Sequence, residues 1–538
     1  MDKTTNNNII EELKWRNILK DISNIDKVIN AGKLGKGIYC GFDPTNDSLH
    51  LGNLLQIILL HRFATFGFQP IAVIGGTTAM IGDPSGKSKE RTLLSEKVLQ
   101  YNVKQIKTQL TSLLNYESIE KLSSLELIKN YQLLDDKEYE ILEMVIKSIN
   151  PNNQYHGTLV AILKNLPLPW EELNLPLPLM KKMYEVCNLD SKWLLIKNNL
   201  PNASFKELLN YCDSFVQTWI AFSRLPMGEV NKNIKPLKIV NNQTWLAPLT
   251  ITTYLRDIGK HFTINQMLNK EMVANRLEIG ISYTEFSYMV LQSYDFYNLY
   301  TQEECYVQSG GSDQWGNITS GLELIRKQKG DDHNAAGITI NLLTKSNGEK
   351  FGKSEKGAIF LDKNKTSAYE LYQFLFNQED KYLASFFNSL TLFNQQQITS
   401  ILEIHKSDIK QHYGQKILAS LLTVFIHKLT GYFSSINITN ALFHDRIHQM
   451  KAVDILRVLK DVPHFDLARD ETIVDVLVNN QICASKRIAR ELIGQNSIMI
   501  NGQKVSDVNF MVSKNNAINK RLTVIKKGKR HYFVVVHQ

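Results

Sequence analysis

The segment Asp47-Ser48-Leu49-His50-Leu51-Gly52-Asn53 combines residue types that suit phosphate binding. His50 and Asn53 are three positions apart, so they would share one face of the first turn of a helix. Gly52 would let a ligand approach the main chain closely. The free amide groups at a helix start favour an anion, and Asp47 or Ser48 is expected to cap this helix. A histidine near a helix start is also a common solvated capping residue, so this segment alone does not establish a site.

Two lysine-containing loops are suited to holding a pyrophosphate. Only three residues separate Gly82 from Gly86, one fewer than a Walker A loop requires. We therefore reject a P-loop there and retain Lys87 and Arg91 as cations near the ligand edge of a sheet. The second loop, Lys350-Phe351-Gly352-Lys353-Ser354, places two lysines around a glycine. That composition fits a pyrophosphate and fits an ordinary surface turn equally well.

Two further segments suggest a pocket for small polar ligands. Tyr288, Gln292 and Asp295 fall at i, i+4 and i+7, so one helix face carries a hydroxyl, an amide and a carboxylate. Such a stripe fits either a small polar ligand or a solvated surface. The run from Gly310 to Asn317 combines glycines with a carboxylate, amides and an indole. It suits a ribose and a purine, although by itself it is equally an ordinary turn.

The elements around these residues predict a parallel sheet. Residues 37–42 form a buried strand pattern, residues 51–58 follow with helical spacing, and residues 70–74 form a second apolar strand. A strand, a helix and a strand within about 40 residues indicate a βαβ unit. Ligands of such sheets bind beyond the carboxyl ends of strands, where this chain has Asp43-Pro44-Thr45 and Gly75-Gly76-Thr77-Thr78.

The remaining chain gives a coarser pattern. Helical segments are predicted for 9–35, for stretches of 244–327 and for 367–445. Residues 342–362 are strand-like, and 474–538 combine short helices with alternating strands. Residues 116–236 contain two Leu-Pro-Leu-Pro runs and Asn-rich joints.

The net charge of +9 is concentrated at one end of the 538-residue chain. Residues 485–538 contain eleven lysines and arginines against Glu491 and Asp507, which accounts for the whole excess. A basic module attached to a neutral body indicates a polyanionic partner. The alternative is a tail that only aids solubility.

Composition excludes several classes of protein. The chain is 43% hydrophobic and 21% charged, as in globular proteins, and it contains no apolar run of about 18 residues that would predict a membrane span. Its five cysteines include no CxxC pair, which favours a reducing compartment. The first residues lack an apolar core and include Asp2, Glu11 and Glu12, so we expect a cytoplasmic protein without a secretory signal.

Together and in this order, the motifs resemble those of bacterial-type tyrosyl-tRNA synthetases, which are class I aminoacyl-tRNA synthetases. The resemblance covers about 1–115 and 238–538. His50-Leu51-Gly52-Asn53 is similar to the family's His-Ile-Gly-His signature, and the 350–354 loop to its Lys-Met-Ser-Lys-Ser loop. The basic tail, with Ser485-Lys486-Arg487 and Ile500-Asn501-Gly502, resembles an S4 RNA-binding domain.

The resemblance implies an α/β fold in three domains. A Rossmann-like parallel-sheet catalytic domain would span 1–362, with an atypical insertion at about 116–236. A helical anticodon-binding domain would span 363–460, and an S4 α/β RNA-binding domain 474–538. The family joins tyrosine to ATP, releases pyrophosphate, and transfers tyrosine to the 3′ end of its tRNA. The expected partners are therefore tRNA(Tyr), L-tyrosine, ATP and a second subunit in a homodimer, with no membrane partner.

The resemblance also assigns roles to residues at matching positions. Thr45 and His50 would hold the γ-phosphate, and the pyrophosphate would be held by loop cations. The catalytic set is Thr45, His50, Lys87, Arg91, Lys350, Lys353 and Ser354. Tyr39 and Asp295 would bind the phenol of tyrosine, while its ammonium group would be held by Asp83, Tyr288 and Gln292.

ATP and tRNA have further implied contacts. ATP and the adenylate would contact Cys40, Gly41, Asp43, Gly52, Asn53, Gly311, Asp313, Gln314 and Lys353. The tRNA would contact Arg326, Lys327, Lys486, Arg487 and Arg490. Mg²⁺ would arrive with ATP, with no dedicated metal site and no tightly bound cofactor.

Two alternatives remain open at this stage. A tryptophanyl enzyme shares the fold and the signatures, although Tyr39 with Asp295 argues against it. An RNA-binding protein that has kept the synthetase fold, such as a splicing cofactor, is the second. Such a protein would have lost catalysis, and the complete set of predicted phosphate-binding cations argues against that loss. The insertion at 116–236 lies beside the helices that form the family's dimer interface, so its effect on dimerisation stays open.

Overall fold

The computed structural model describes most of the chain outside the insertion. Some residues are described through their main chain only. The described residues are 8–84, 94–114, 140, 235–270, 273–274, 277, 280–343, 351–354, 357–443, 447–450, 452–460, 462–528 and 531–538. They form two compact units: Met1–Thr366 with Leu375–Ile426, and Ser367–Phe374 with His427–Gln538.

A six-stranded sheet is the framework of the first unit. Its order is β1-β6-β5-β2-β3-β4, and every neighbouring pair is parallel except β1 with β6. The strands are β1 (Leu19–Ile22), β2 (Gly37–Phe42), β3 (Gln69–Ile74), β4 (Lys238–Asn241), β5 (Cys305–Gly311) and β6 (Ala336–Ile340). The predicted parallel sheet is thus confirmed, since β2 and β3 pair in register from Gly37 with Gln69 to Phe42 with Ile74.

Helices connect and cover these strands. In chain order they are α1 (Ile9–Trp15), α2 (Ile25–Lys33), α3 (Leu51–Thr65), α4 (Glu96–Leu114), α5 (Gln243–Leu246), α6 (Ile251–Thr253), α7 (Ile264–Leu268), α8 (Tyr283–Gln302) and α9 (Trp315–Lys329). Helices α8 and α9 pack against each other and against β5. They carry the predicted tyrosine-binding and tRNA-binding residues.

Helix α3 forms where the sequence combines a start signal with an unbroken apolar run. His50 is its N-cap, and the Asn53 side chain accepts a hydrogen bond from the His50 amide at 3.0 Å. Its residues Leu54, Leu55, Ile57 and Ile58 are all buried, as expected of a helix inside a domain. The cap was predicted at Asp47 or Ser48, so that prediction is wrong by two or three residues.

The rest of the first unit is a hairpin and a helical segment. Strands β7 (Lys353–Ser354) and β8 (Gly357–Ala358) have two residues each and form an antiparallel hairpin. The helices are α10 (Ala368–Phe376), α11 (Leu383–Leu390), α12 (Gln395–Ser407) and α13 (Tyr413–Phe443). Helices α10 and α13 each cross a boundary between the units, and α13 is interrupted at Lys428, where φ is 63°.

The second unit contains a five-stranded sheet in the order β12-β11-β14-β15-β9. The strands of this unit are β9 (His464–Leu467), β10 (Glu471–Thr472), β11 (Ile498–Ile500), β12 (Gln503–Lys504), β13 (Met511–Val512), β14 (Leu522–Lys527) and β15 (His531–His537). Its helices are α14 (Ala452–Val458), α15 (Ile473–Asn479) and α16 (Lys486–Gly494). One apolar cluster joins Ile473 and Leu477 of α15 with Ala489 and Ile493 of α16 under the sheet.

One local prediction is wrong. Residues 9–35 are not one helical segment, because β1 separates α1 from α2 and pairs with β6. In the glycine run at 310–317, Gly310 and Gly311 end a central strand, Ser312–Gln314 form a 3₁₀ turn and Trp315 begins α9. The segment predicted as strand-like at 342–362 contains the short strands β7 and β8, and residues 344–350 and 355–356 of it lie outside the described residues. Most of the predicted segment 116–236 lies outside the described residues.

Among the described residues, no helix has the length and apolarity needed to cross a membrane.

Candidate active site

A cavity of about 280 Å³ opens at the carboxyl edge of the first sheet. It lies where β2 and β5 are neighbours although more than 260 residues separate them along the chain. Such a switch point is where open α/β sheets bind ligands. Predicted site residues that line it are Tyr39, Cys40, Gly41, Asp43, Thr45, His50, Asn53, Asp83, Tyr288, Gln292, Asp295, Gly311, Asp313 and Gln314.

Asp295 is the most deeply placed carboxylate of the cavity. It is 5% exposed, and it accepts hydrogen bonds from Asn242 Nδ2 at 3.0 Å and from Trp245 Nε1 at 2.7 Å. Burial raises the pKa of Asp295 to about 7, and the two donors act in the opposite direction. Because each carboxylate oxygen has two lone pairs, Asp295 keeps acceptor capacity toward the cavity.

The Tyr39 hydroxyl lies beside this carboxylate. Tyr39 is 2% exposed and packs on Phe296, with ring centroids 5.6 Å apart. Its hydroxyl is buried without a hydrogen-bond partner among the described residues, and so is Gln308 Oε1. Burial, with the nearby Asp295 as a second cause, raises the pKa of Tyr39 well above its usual value. The hydroxyl is therefore a neutral group that a ligand hydroxyl could satisfy.

Asp43 stands at the end of β2 and is held by two hydroxyls. Thr78 Oγ1 donates to Asp43 Oδ1 at 2.9 Å, and the Tyr288 hydroxyl donates to Asp43 Oδ2 at 2.9 Å. A Cβ at position 75 would lie 2.0 Å from Asp43 Oδ1, so any residue other than glycine there would displace this carboxylate. Burial, followed by Asp43 and Asp83, raises the pKa of Tyr288 well above its usual value.

A chain of amides holds the neighbouring carboxylate Asp83. Gln314 Nε2 donates to Asp83 Oδ2 at 2.9 Å, and Gln292 Nε2 donates to Gln314 Oε1 at 3.3 Å. Asn317 Nδ2 donates to Gln292 Oε1 at 2.9 Å. Because α8 supplies Gln292 and α9 supplies Asn317, the packing of these helices fixes the position of the amides.

The start of α3 lies against the turn that precedes β7. Leu51 N donates to Ile359 O at 2.8 Å, and Ile359 N donates to Gly352 O at 2.9 Å. Gly352 has φ of +95°, and a Cβ there would lie 3.0 Å from Gly52 N. The two signature segments predicted from sequence are therefore in direct main-chain contact.

Not every predicted residue is placed in this way. Gly52 lies at the rim, beside His50 and the turn. Lys87, Arg91 and Lys350 lie outside the described residues, and Lys353 and Ser354 are described through their main chain in β7. The described lining residues include no lysine or arginine.

The predicted tRNA-binding residues lie in two separate places. Arg326 and Lys327 are in the last turn of α9, where Arg326 pairs with Glu323 at 2.7 Å and with Asp331 at 3.2 Å. Lys327 Nζ donates to His261 O at 2.6 Å. The other three residues are exposed on α16, where Lys486 pairs with Asp475 at 2.7 Å.

Sequence analysis missed the residues that hold the predicted ones. Asn242 bonds Asp295 and also Thr78, and its Oδ1 accepts from Thr77 N at 2.9 Å. Asn242 and Trp245 are three residues apart at the carboxyl end of β4. Recognition of β4 as a strand of the parallel sheet would have pointed to them.

Comparisons with known proteins agree with this geometry. A model of the family described as class I tRNA synthetases (W and Y) matches residues 36–154 and 210–444. A model described as the SYY-like C-terminal domain of tyrosine–tRNA ligase matches residues 454–535.

Curated relatives align along almost the whole chain. The tyrosine–tRNA ligase of Ureaplasma urealyticum is 37% identical over 530 residues, covering 98% of this chain and 99% of the relative. Tyrosine–tRNA ligase 1 of Bacillus subtilis is 34% identical over 536 residues, covering 99% of this chain and 100% of the relative.

The fold is shared with a solved structure. The C-terminally truncated mitochondrial tyrosyl-tRNA synthetase of Aspergillus nidulans superposes with a TM-score of 0.55 and 22% identity, covering 82% of this chain and 96% of that chain. The family resemblance predicted from sequence is confirmed by the relatives, and the class I synthetase fold by the family model and this superposition. The chain belongs to the tyrosine–tRNA ligases, within the class I tRNA synthetases for tryptophan and tyrosine.

Proposed function

We propose that this protein is a tyrosine–tRNA ligase. It joins L-tyrosine to ATP, giving tyrosyl-adenylate and pyrophosphate, and then transfers tyrosine to the 3′ end of tRNA(Tyr). The observation that supports this choice of amino acid is that a buried carboxylate, Asp295, and a buried hydroxyl, Tyr39, both line the cavity.

A phenol completes this pair in a way that competing amino acids do not. The phenol hydrogen donates to Asp295, and the phenol oxygen accepts from Tyr39. Phenylalanine offers neither contact and leaves both buried groups unmatched, which is costly. The indole of tryptophan has a donor and no acceptor, so it offers the Tyr39 hydroxyl nothing to donate to. The geometry therefore favours tyrosine over the tryptophanyl alternative.

The first reaction needs positioning and charge stabilisation. The attacking tyrosine carboxylate is already a nucleophile, so no general base is required, and catalysis rests on orienting it toward the α-phosphate. Asp83, Tyr288 and Gln292 hold the ammonium group of tyrosine. Ribose and adenylate lie against residues at the carboxyl ends of β2 and β5, namely Cys40, Gly41, Asp43, Gly52, Asn53, Gly311, Asp313 and Gln314.

The phosphates are assigned to the opposite end of the cavity. Thr45 and His50, at the turn that leads into α3, hold the γ-phosphate. Lys87, Arg91, Lys350 and Lys353 neutralise the departing pyrophosphate, with Ser354 beside them. Mg²⁺ enters with ATP as part of the substrate. The carboxylates Asp43, Asp83 and Asp295 already accept from neutral side-chain donors, which fits hydrogen-bonding roles for them.

The tRNA is assigned to basic surfaces outside the cavity. Lys486, Arg487 and Arg490 share the exposed part of α16, in the S4 domain at 474–538. Arg326 and Lys327 meet the acceptor arm, which requires phosphates to compete with Glu323 and Asp331. The helical segment 363–460 is assigned to the anticodon. These cations and the predicted adenylate-binding residues that line the cavity together favour an enzyme over an RNA-binding protein that has lost catalysis.

A second copy of the chain is the proposed partner for an exposed apolar surface. Ile251, Leu255, Ile264 and Tyr283 are 79%, 53%, 59% and 71% exposed, all within one short stretch of chain. Such large apolar groups are costly to leave in water. Sedimentation equilibrium of the full chain should give a dimer, and Tyr283→Lys should shift it toward monomer. A monomeric parent would contradict the proposal.

A pyrophosphate-exchange assay tests the activity. Incorporation of labelled pyrophosphate into ATP should require tyrosine and should be absent with tryptophan or with no amino acid. Tryptophan-dependent exchange would select the tryptophanyl alternative, and the absence of exchange with both amino acids would select the RNA-binding one. The Asp295→Ala variant provides a matched control for a site that has lost its phenol acceptor.

A further inference from the structure

The turn Phe351-Gly352 is held by an aromatic contact as well as by its main chain. Phe351 is 5% exposed, and its ring centroid lies 4.5 Å from that of Phe386 on α11, which is itself 3% exposed. Phe351 N also donates to Leu343 O at 2.7 Å. The side chain immediately before Gly352-Lys353 is therefore seated on a helix distant in sequence.

Helix α11 is fixed at its C-terminal end by two buried arginines. Arg16 and Arg62 are 2% and 1% exposed. Arg16 Nη1 donates to Asn388 O at 3.0 Å, and Arg62 Nη2 donates to Thr391 O at 2.7 Å. The last carbonyls of a helix lack partners inside the helix and favour a positive charge, so the guanidinium groups meet both needs.

These contacts form a closed path around α3. The N-terminal turn of α3 carries His50 and lies against Gly352, while its last turn carries Arg62, which holds the end of α11. Helix α11 in turn presents Phe386 to Phe351. One helix therefore sets the position of the first signature segment directly and that of the second through α11.

We propose that Phe386 is a positioning residue for the turn Phe351-Gly352-Lys353, acting by seating Phe351 and so fixing where Lys353 stands relative to the start of α3. This inference rests on the proposed function, because it assigns Lys353 to the pyrophosphate. Phe386 touches no substrate. Its effect is on the ATP-dependent step and leaves the tyrosine pocket unchanged, since Asp295 and Tyr39 belong to other elements.

The test compares two neighbouring phenylalanines of α11. Phe386→Leu removes the ring that contacts Phe351, and Phe387→Leu is the matched control, because Phe387 is 0% exposed and stacks on Phe393. At saturating tyrosine, Phe386→Leu should lower kcat/KM for ATP in pyrophosphate exchange by about 10- to 100-fold, as expected for a misplaced catalytic group. Tyrosine affinity in equilibrium dialysis should stay at the parent value in both variants.

A double-mutant cycle separates positioning from loss of packing. Phe351→Leu combined with Phe386→Leu should be no slower than the slower single variant, because both remove one shared contact. Additive losses would overturn the proposal. So would an equal kinetic defect in Phe387→Leu, or parent kinetics in Phe386→Leu.

A measurement without catalysis completes the test. Brief trypsin treatment of the ligand-free full chain, read by mass spectrometry, should cut after Lys353 faster in Phe386→Leu than in the parent and in Phe387→Leu. Equal cleavage rates would contradict the proposal that Phe386 positions the turn. If the leucine variant fails to fold, Phe386→Met takes its place. A parent chain without tyrosine-dependent pyrophosphate exchange would refute the proposed function. The cleavage comparison would still show whether Phe386 holds the turn in place.

Discussion

The cavity and the exposed part of α16 use charge in opposite ways. In the cavity, Asp295 is buried and Asp43 and Asp83 are half-buried. These three carboxylates accept from neutral donors at fixed distances, as Asp295 does from Asn242 and Trp245. On α16 the cations are exposed, and Lys486 pairs with Asp475, whose side chain is 34% exposed. Buried hydrogen bonds are directional and poorly screened, whereas exposed charges act at longer range and are screened by salt. The first arrangement is suited to selecting a small molecule by its atoms, and the second to attracting a polyanion.

The largest expected effect is the change with pH in the contribution of Asp295 to the free energy of unfolding. Its pKa of about 7 in the folded protein lies above the value of about 3.9 for an unfolded aspartate. Between these values the folded protein holds a proton that the unfolded chain has lost, so the contribution of Asp295 to stability is most favourable below about pH 4 and falls as the pH rises toward 7. The shift of about three units sets an upper bound of ~4 kcal/mol.

Denaturant unfolding of the ligand-free protein from pH 4 to pH 8 measures this effect. Asp295→Asn should flatten the pH dependence, and Asp26→Asn, at an exposed position on α2, should leave it as in the parent. An unchanged slope in Asp295→Asn would show that another group carries the pH dependence.

The next effect is on amino-acid selection. Asp295→Ala should reduce kcat/KM for tyrosine more than for phenylalanine, narrowing their ratio by roughly 10²-fold, the value of a lost hydrogen bond to a charged group. Tyrosyl enzymes are themselves the standard example of rejecting an analogue that lacks a hydroxyl. Ser293→Ala removes another buried polar group of α8, outside the cavity lining, and should leave the ratio unchanged.

A smaller effect is expected from neutralising α16. Changing Lys486, Arg487 and Arg490 together to Gln should weaken tRNA binding and flatten the log–log salt dependence by roughly 0.9 per lost contact to a duplex-like backbone. The rate of tyrosine-dependent pyrophosphate exchange should stay at the parent value. The same charge change at Lys20, Lys33 and Lys107 of the first unit is the control. Equal salt slopes for both triple variants would remove α16 from the RNA interface.

The smallest effect expected is that of salt on tyrosine binding in the cavity. Tyrosine affinity of the parent should change little between about 0.1 and 1 M salt, although the Debye length falls from about 10 to 3 Å. The groups proposed to contact tyrosine are buried or half-buried, and buried charges are screened much less than exposed ones. Equilibrium dialysis at several salt concentrations measures it. A steep salt dependence would mean that exposed charges contribute to tyrosine binding.

Sequence reasoning placed the residues that face the cavity better than the residues behind them. Tyr288, Gln292 and Asp295 were found from helical spacing, Asp43 from its position after a strand, and His50 from its position at a helix start. Asn242 and Trp245 were missed because β4 has four residues and follows a segment without a recognisable pattern. What holds Asp295 is a contact across 50 residues or more, which spacing cannot encode.

The errors in the fold have the same origin. Strand β1 was hidden in a helical stretch because its four residues are polar at Lys20 and Asp21, and it exists by pairing with β6. Strand β5 ends in two glycines that resemble a turn, and it is a strand because β2 and β6 pair with it on both sides. Local pattern predicted α3 and α8 correctly, since each is long enough to repeat its own signal.

The Tyr39 hydroxyl has a consequence for how accuracy in translation evolves. In the ligand-free chain it is a buried polar group without a partner among the described residues, and such a group makes folding slightly less favourable. Phenylalanine at position 39 would remove that unpaired hydroxyl and also the proposed contact with a substrate phenol. Selection for stability alone would therefore favour phenylalanine at this position, at the cost of less accurate charging of tRNA(Tyr). Retention of the hydroxyl requires selection for the fidelity of protein synthesis as well.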